Sequence, residues 1–215
     1  MTTLTFVAWL NVVLHGIGLA FAAIGMRPGT PAVPLAERVD YLAASPLGWM
    51  LGWAVWMLCV PAVVAFFAIA AQRLGESAWL GRLACSVVLA AGAIDLCCDT
   101  VFLIALPRLA AERPLPESLF LTVERATGAI SLIVANGLYT MGTLLMTITL
   151  HQRPRVSTWL LAAGYGVTLF GALLAAAGCT GIAWHVEWAT GPTLGLFCIF
   201  TLLVAHELSA AEVES

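Results

Sequence analysis

The chain has 215 residues, of which 61% are hydrophobic and 10% are charged, and its formal net charge is −3 at pH 7. Soluble domains carry about 45–50% apolar and about 25% charged residues, so this composition excludes an ordinary soluble fold and indicates a protein of the lipid bilayer. The low positive charge argues against a nucleic-acid partner, and the absence of lysine excludes a retinal protein that needs a Schiff base.

Six stretches of the chain have the length and apolar character of a helix that crosses a bilayer, which takes about 20 residues. Because lipid offers the backbone no hydrogen bonds, each stretch is predicted to be an α-helix. The predicted fold is an all-α, polytopic integral membrane protein, with a single bundle of six transmembrane helices forming one domain over 1–215. The predicted helices cover 4–26, 47–71, 83–106, 127–150, 157–178 and 190–208.

The first stretch lacks the positively charged start of a signal peptide and has an apolar run about twice as long as usual, so we interpret it as a transmembrane helix. An even number of helices places both termini on one side. The arginines near helix ends are almost evenly divided between the sides, and the arginine-dense short loops at 72–82 and 151–156 favour cytoplasmic termini. In a bacterium this membrane would be the inner membrane.

The segments between the helices are predicted to be loops, of which 27–46 and 107–126 are rich in proline, and helix is expected to resume from Ser118. Four tryptophans fall at predicted membrane interfaces, as in an aromatic belt. They are Trp79, Trp159, Trp184 and Trp188. Two Gly-x-x-x-Gly pairs predict close approach of neighbouring helices. They are Gly48 with Gly52 and Gly191 with Gly195.

The most informative residues are two carboxylates near the centre of the third predicted helix. Asp95 and Asp99 are four residues apart, so they share one face of the helix about 6 Å apart along its axis. An aspartate at the centre of a membrane helix costs roughly 2.5–3.5 kcal/mol on insertion scales. Both side chains are therefore predicted to face the interior of the bundle.

Other helices place polar groups at the same depth. Asn11 and His15 share a face of the first helix. The fourth helix has Tyr139 close to its middle and carries a polar stripe made by Asn136, Thr140, Thr143 and Thr147. The second helix has Pro61 near its middle, where a proline removes a backbone donor and could act as a hinge. These polar faces are predicted to meet in the interior.

Trp49, Trp53 and Trp56 share one face of the second helix, which favours either helix packing or a wall for a flat apolar ligand. Two buried carboxylates at this spacing repel each other, so at least one should hold a proton near neutral pH unless a cation is present. Protonated His15 is the best candidate cation in the sequence.

A metal site made by His15, Asp95, Cys98 and Asp99 is chemically conceivable, although thiolate and carboxylate ligands seldom share one site. The six cysteines otherwise fit packing positions in apolar runs. The chain has no Gly-rich phosphate loop and no His-Glu-x-x-His or Gly-x-Ser-x-Gly motif, so the sequence assigns no cofactor.

Three functions fit these observations. The first is a small proton- or cation-coupled transporter in which Asp95, Asp99 and His15 bind or relay the ion beside an interrupted helix. The second is an intramembrane enzyme that uses an aspartate in acid–base chemistry on a lipid or isoprenoid-like substrate. The third is a non-catalytic subunit or assembly factor, whose polar groups only hold helices together. The expected partners are the lipid bilayer and a small-molecule, ion or lipid ligand, and a homodimer or a larger membrane complex is compatible with the small size of the bundle.

Overall fold

The computed structural model describes residues 1–44, 46–75, 78–154, 156–180 and 183–210, with side chains throughout these ranges except at 183–185 and 187. Within them the chain is helical without a strand, and six spans are long and apolar enough to cross a membrane. The spans are Thr3–Gly29, Leu47–Leu74, Trp79–Ala111, Glu117–His151, Thr158–Thr180 and Trp188–Ala210. The predicted fold class, an all-α membrane protein with a six-helix bundle, is confirmed.

The helices are α1 (Thr3–Phe21), α2 (Leu35–Ala43), α3 (Leu47–Leu74), α4 (Trp79–Thr100), α5 (Leu106–Ala111), α6 (Glu117–Ala129), α7 (Asn136–His151), α8 (Thr158–Thr180) and α9 (Ala183–Ala210). Three spans contain a π-helical turn, in which the backbone pairs residues five apart. These turns are Ala22–Met26 after α1, Val101–Ala105 between α4 and α5, and Ile130–Ala135 between α6 and α7.

The structure corrects two predicted loops. Residues 35–43 form α2 within the predicted loop 27–46, because Pro34 lies just before the first turn, where proline interrupts no helical hydrogen bond. The predicted loop 179–189 is helical from residue 183, and the side chain of Trp184 lies outside the described part of the chain. The length of the apolar stretches did not reveal either helical segment, because a helix can include polar residues. The expected helix after Ser118 begins at Glu117.

The six spans form a closed ring in chain order. Each long helix packs against the next, and α9 packs against α1 to close the ring. The two ends of the chain meet there, with 2.9 Å between the hydroxyl oxygens of Thr2 and Ser209. Both termini therefore lie on one face of the bundle, as predicted.

Two apolar clusters occupy opposite halves of the bundle. The half nearer the termini is filled by a packed core that includes Leu4, Phe66, Met146 and Phe200. At the far end a second cluster forms a cap, in which α2 and α5 pack against each other and over the ends of the spans. The cap core is made by Met26, Val39, Leu42, Trp49, Leu106, Ala110 and Phe120.

Polar contacts hold α2 in the cap. The guanidinium of Arg38 on α2 donates to Glu124 Oε2 on α6 over 2.8 Å, with the two side chains 9% and 5% exposed. Arg38 also donates to Val33 O over 3.0 Å. The hydroxyl of Tyr41 donates to Gly25 O, and burial raises the pKa of Tyr41, so the hydroxyl keeps its proton at neutral pH.

We expect substitution of only one partner of the buried ion pair to lower the stability of the protein. Arg38→Met should lower the free energy of unfolding by about 3–5 kcal/mol, because Glu124 would be left buried without its counter-charge. The double variant Arg38→Met with Glu124→Leu should recover most of that loss. Equilibrium unfolding in detergent micelles measures both, and a double variant less stable than the single one would contradict this account.

Close approach of helices is achieved at some glycines and not at others. Gly48 meets the backbone of Gly25, and a Cβ on Gly52 would strike Met26, which confirms the first predicted pair. No described residue lies within 4 Å of a Cβ built on Gly191 or Gly195, so the second predicted pair makes no close approach there. The exposed indoles of Trp79, Trp159 and Trp188 fit the predicted belt.

The sequence spacing did not reveal a tight contact between α7 and α8. A Cβ on Gly171 would lie 2.2 Å from Thr140 Oγ1. Gly171→Ala should therefore cost about 1–3 kcal/mol of stability through overpacking. The matched change Gly195→Ala should be neutral or stabilising, because alanine favours a helix more than glycine does. Melting temperatures of the two variants in the same detergent compare them, and equal melting would refute the packing role.

Candidate functional site: a chamber lined by all six spans

A chamber of about 350 Å³ lies inside the ring, and every span contributes to its wall. Nine residues singled out from the sequence line it: His15, Trp53, Trp56, Asp95, Asp99, Asn136, Tyr139, Thr140 and Thr143. Asn11 and Trp49, which were also singled out, do not. The predicted meeting of polar faces from the first, third and fourth spans is therefore formed around a cavity.

The chamber lies between the two apolar clusters, in the half of the bundle far from the termini. Val63, Phe67, Val167 and Phe197 belong both to its wall and to the packed core, and they separate it from the terminal face. Met26, Trp53 and Trp56 belong to its wall and contact the cap. The wall extends to Thr30, beyond the end of the first span, so the chamber reaches the cap end of the protein.

The two carboxylates on α4 are held differently. Asp95 Oδ1 accepts a hydrogen bond of 2.9 Å from the hydroxyl of Ser131. Asp99 is only 3% exposed, and its Oδ2 has no hydrogen-bond partner among the described residues. Sequence reasoning missed Ser131, because a single serine in an apolar run gives no signal until the π-helical turn at Ile130–Ala135 turns it toward α4.

His15 lines the same chamber but does not pair with the carboxylates. Its Nδ1 lies 2.8 Å from Asn11 O, one turn back on α1, and its ring meets Trp56 and Phe197 edge-on. Among the described side chains, no hydrogen bond or ion pair joins the imidazole to Asp95 or Asp99. His15 therefore lines the chamber with the carboxylates without bonding to them, and the backbone carbonyl of its own helix engages Nδ1. Only Nε2 remains for a ligand.

Asn11 does not line the chamber but joins two helices through hydrogen bonds. It is fully buried one turn nearer the termini than His15, and its amide donates to Val7 O and to Ala62 O, both over 3.0 Å. The second bond ties α1 to α3 one residue after Pro61. The predicted hinge is not visible as a break, because α3 is continuous from Leu47 to Leu74.

The polar stripe on the fourth span serves two purposes. Asn136 donates to Gly171 O on α8 over 3.0 Å. The hydroxyls of Thr140 and Thr143 donate to carbonyls four residues back on their own helix, a bond that satisfies a buried hydroxyl without linking helices. Tyr139 lies on the chamber wall beside Gly92, where a Cβ would come 3.5 Å from its hydroxyl.

The tryptophan face of α3 divides between cap and chamber. Trp53 stacks on Phe102 with 4.5 Å between ring centroids, whereas Trp49 is buried and donates its indole N–H to Phe102 O over 2.9 Å. The carbonyl of Phe102 needs a donor from outside its own helix, because the nearest backbone groups along the chain do not serve it. In the π-helical turn Leu106 N donates to Val101 O, and Pro107 has no N–H. Trp49 thus stabilises the turn that directly follows Asp99.

Removing this donor should be measurable. Trp49→Phe should destabilise the protein by about 1–3 kcal/mol, because a buried carbonyl loses its partner while most of the ring packing stays. The matched change Trp79→Phe, at an exposed indole, should have little effect. Denaturation in micelles measures the unfolding free energies of both variants. Equal values would contradict the stabilisation of the π-helical turn by Trp49.

The conceivable metal site is not formed. Within the described ranges, no three His, Cys, Asp or Glu side chains come together as a metal site. Cys98 is buried beside Asp99 in sequence, yet it does not line the chamber. The reason is the position of His15 on another helix, with one ring nitrogen already engaged.

No known protein family, no characterised protein and no solved structure matches this chain. The fold and the chamber therefore define the class on their own: an integral membrane protein whose six helices enclose a mostly apolar cavity containing two carboxylates.

Proposed function

We propose that the protein is a small proton- or cation-coupled transporter, with Asp95 and Asp99 as the ion-binding groups. One observation carries the proposal: two carboxylates face a chamber shared by all six spans, and one oxygen of buried Asp99 has no protein partner in the described chain. Ionisable residues are expensive inside a membrane, and they mark ion and substrate pathways.

The helix interruptions support this proposal. Two of the three π-helical turns line the chamber, with Ala22 and Met26 from the first turn and Ser131 and Leu132 from the third. The second turn begins two residues after Asp99. Such turns occur frequently at functional sites, and transporters bind substrates beside interrupted helices. In this proposal the turns, and not Pro61, let the cap half of the bundle rearrange.

The position of the chamber gives the direction of access. The packed core closes it toward the termini, while its wall reaches Thr30 at the cap end. We infer a conformation that loads from the cap face and must loosen the floor at Phe67 and Phe197 to release toward the other side. With cytoplasmic termini, as the arginine distribution favours, loading would occur from outside the cell.

The two alternative functions have less support. An enzyme with an Asp–His acid–base pair would need His15 within reach of a carboxylate, and no such bond joins them among the described side chains. A subunit whose polar groups act only as glue would not need a chamber of about 350 Å³.

Proteoliposomes containing the full chain and a lumenal pH-sensitive dye test the proposal. Under an imposed proton gradient, or a sodium or potassium gradient followed by ion-sensitive dyes, the wild-type protein should move protons or the cation across the bilayer. Asp95→Asn and Asp99→Asn should each reduce the rate by about tenfold or more, the equivalent of losing an interaction with a charged group.

Glu112→Gln is the matched control, because Glu112 is exposed just after α5 and should leave the rate unchanged. Absence of any ion movement by the folded wild-type protein would overturn the proposal. So would an unchanged rate in the variant that carries both asparagines.

A further inference from the structure

The charge of the chamber wall restricts what it can hold. Asp95 and Asp99 line it, whereas none of the arginines in the described part of the chain does, and the chain has no lysine. The other ionisable groups among the described wall residues are His15, which has Nδ1 engaged by Asn11 O, and the weak acids Cys59 and Tyr139. An anionic ligand would therefore meet two acids without a permanent counter-charge. A cation would find a carboxylate oxygen of Asp99 that no described residue occupies.

The remainder of the wall is aromatic and apolar. Trp53, Trp56, Phe67, Tyr139 and Phe197 all contribute to it. The faces of such rings attract organic cations, and the attraction grows when the cation is removed from water. Trp53 is fixed by its stack on Phe102, so this part of the wall is preformed. A strongly hydrated inorganic ion would gain little from these rings.

The volume sets the size of the ligand. About 350 Å³ holds about twelve water molecules at ~30 Å³ each, so a compact molecule with one ring and a small charged group fills it. Asp95 already accepts from Ser131, which leaves Asp99 as the acid with an open acceptor. One positive charge matches this arrangement.

We propose that the ligand of the chamber is a small aromatic or similarly apolar organic monocation, with its charge against Asp99 and its apolar body between the rings of α3 and α9. This inference rests on the proposed function in that it names the substrate class of the same site. It explains why carboxylates and tryptophans share one wall.

A pair of probes of the same shape tests the inference on the purified full chain. Benzyltrimethylammonium is the cation, and neopentylbenzene is its neutral counterpart, with carbon in place of the charged nitrogen. Binding of the labelled cation is measured by scintillation proximity, and the neutral probe is used as a competitor. We expect the cation to bind about tenfold or more tightly than its neutral counterpart, since a desolvated charge gains from both the acid and the rings.

Substituted proteins test whether the charge of the ligand lies against Asp99. Asp99→Asn should weaken binding of the cation by about tenfold or more and leave binding of the neutral probe unchanged. Glu112→Gln should change the affinity for neither probe. The comparison of the two probes on the wild-type protein stands even if Asp99→Asn fails to fold. Equal competition by the two probes, or no binding of the cation at millimolar concentration, would overturn the inference.

Uptake of the labelled cation into proteoliposomes separates this inference from the proposed function. Binding with the expected charge dependence but without uptake would refute transport and support the ligand class. Ion movement that depends on Asp95 and Asp99, with no binding of the cation, would refute the ligand class and support transport.

Discussion

The cost of exposing a carboxylate to lipid tails is the constraint on which the structure depends. Asp95 and Asp99 on one face of α4 cannot be tolerated on the outside of a bundle, at roughly 2.5–3.5 kcal/mol each. A ring of six spans that closes by packing α9 against α1 gives them an interior. The ring also brings the two ends of the chain together, which is why Thr2 meets Ser209.

The interior is packed in one half of the bundle and contains a chamber in the other, and this difference explains how the residues of the chamber are positioned. Side chains fill the half of the bundle near the termini, while the cap half retains a chamber between the two clusters. The cap is itself stabilised by the buried pair Arg38 and Glu124. The chamber floor and roof thus belong to the two packed clusters, which position its polar groups.

The π-helical turns connect the backbone to the chemistry of the chamber. Each one displaces backbone hydrogen bonds, and the displaced groups need partners from elsewhere. Trp49 supplies one at Phe102 O, and the turn at Ile130–Ala135 places Ser131 against Asp95. These turns are therefore places where the spans depart from the regular hydrogen bonding of an α-helix.

The sequence by itself determined the membrane class, the six spans, the shared side of the termini and the inward direction of Asp95 and Asp99, because run length, parity and burial cost depend only on composition and spacing. It also singled out nine of the residues that line the chamber. Only the tertiary structure decided that His15 binds Asn11 O and not an aspartate, that Asn11 ties α1 to α3, and that Arg38 pairs with Glu124. These outcomes depend on which carbonyl or charge lies within about 3 Å on another turn or another helix, and helical periodicity carries no information about that.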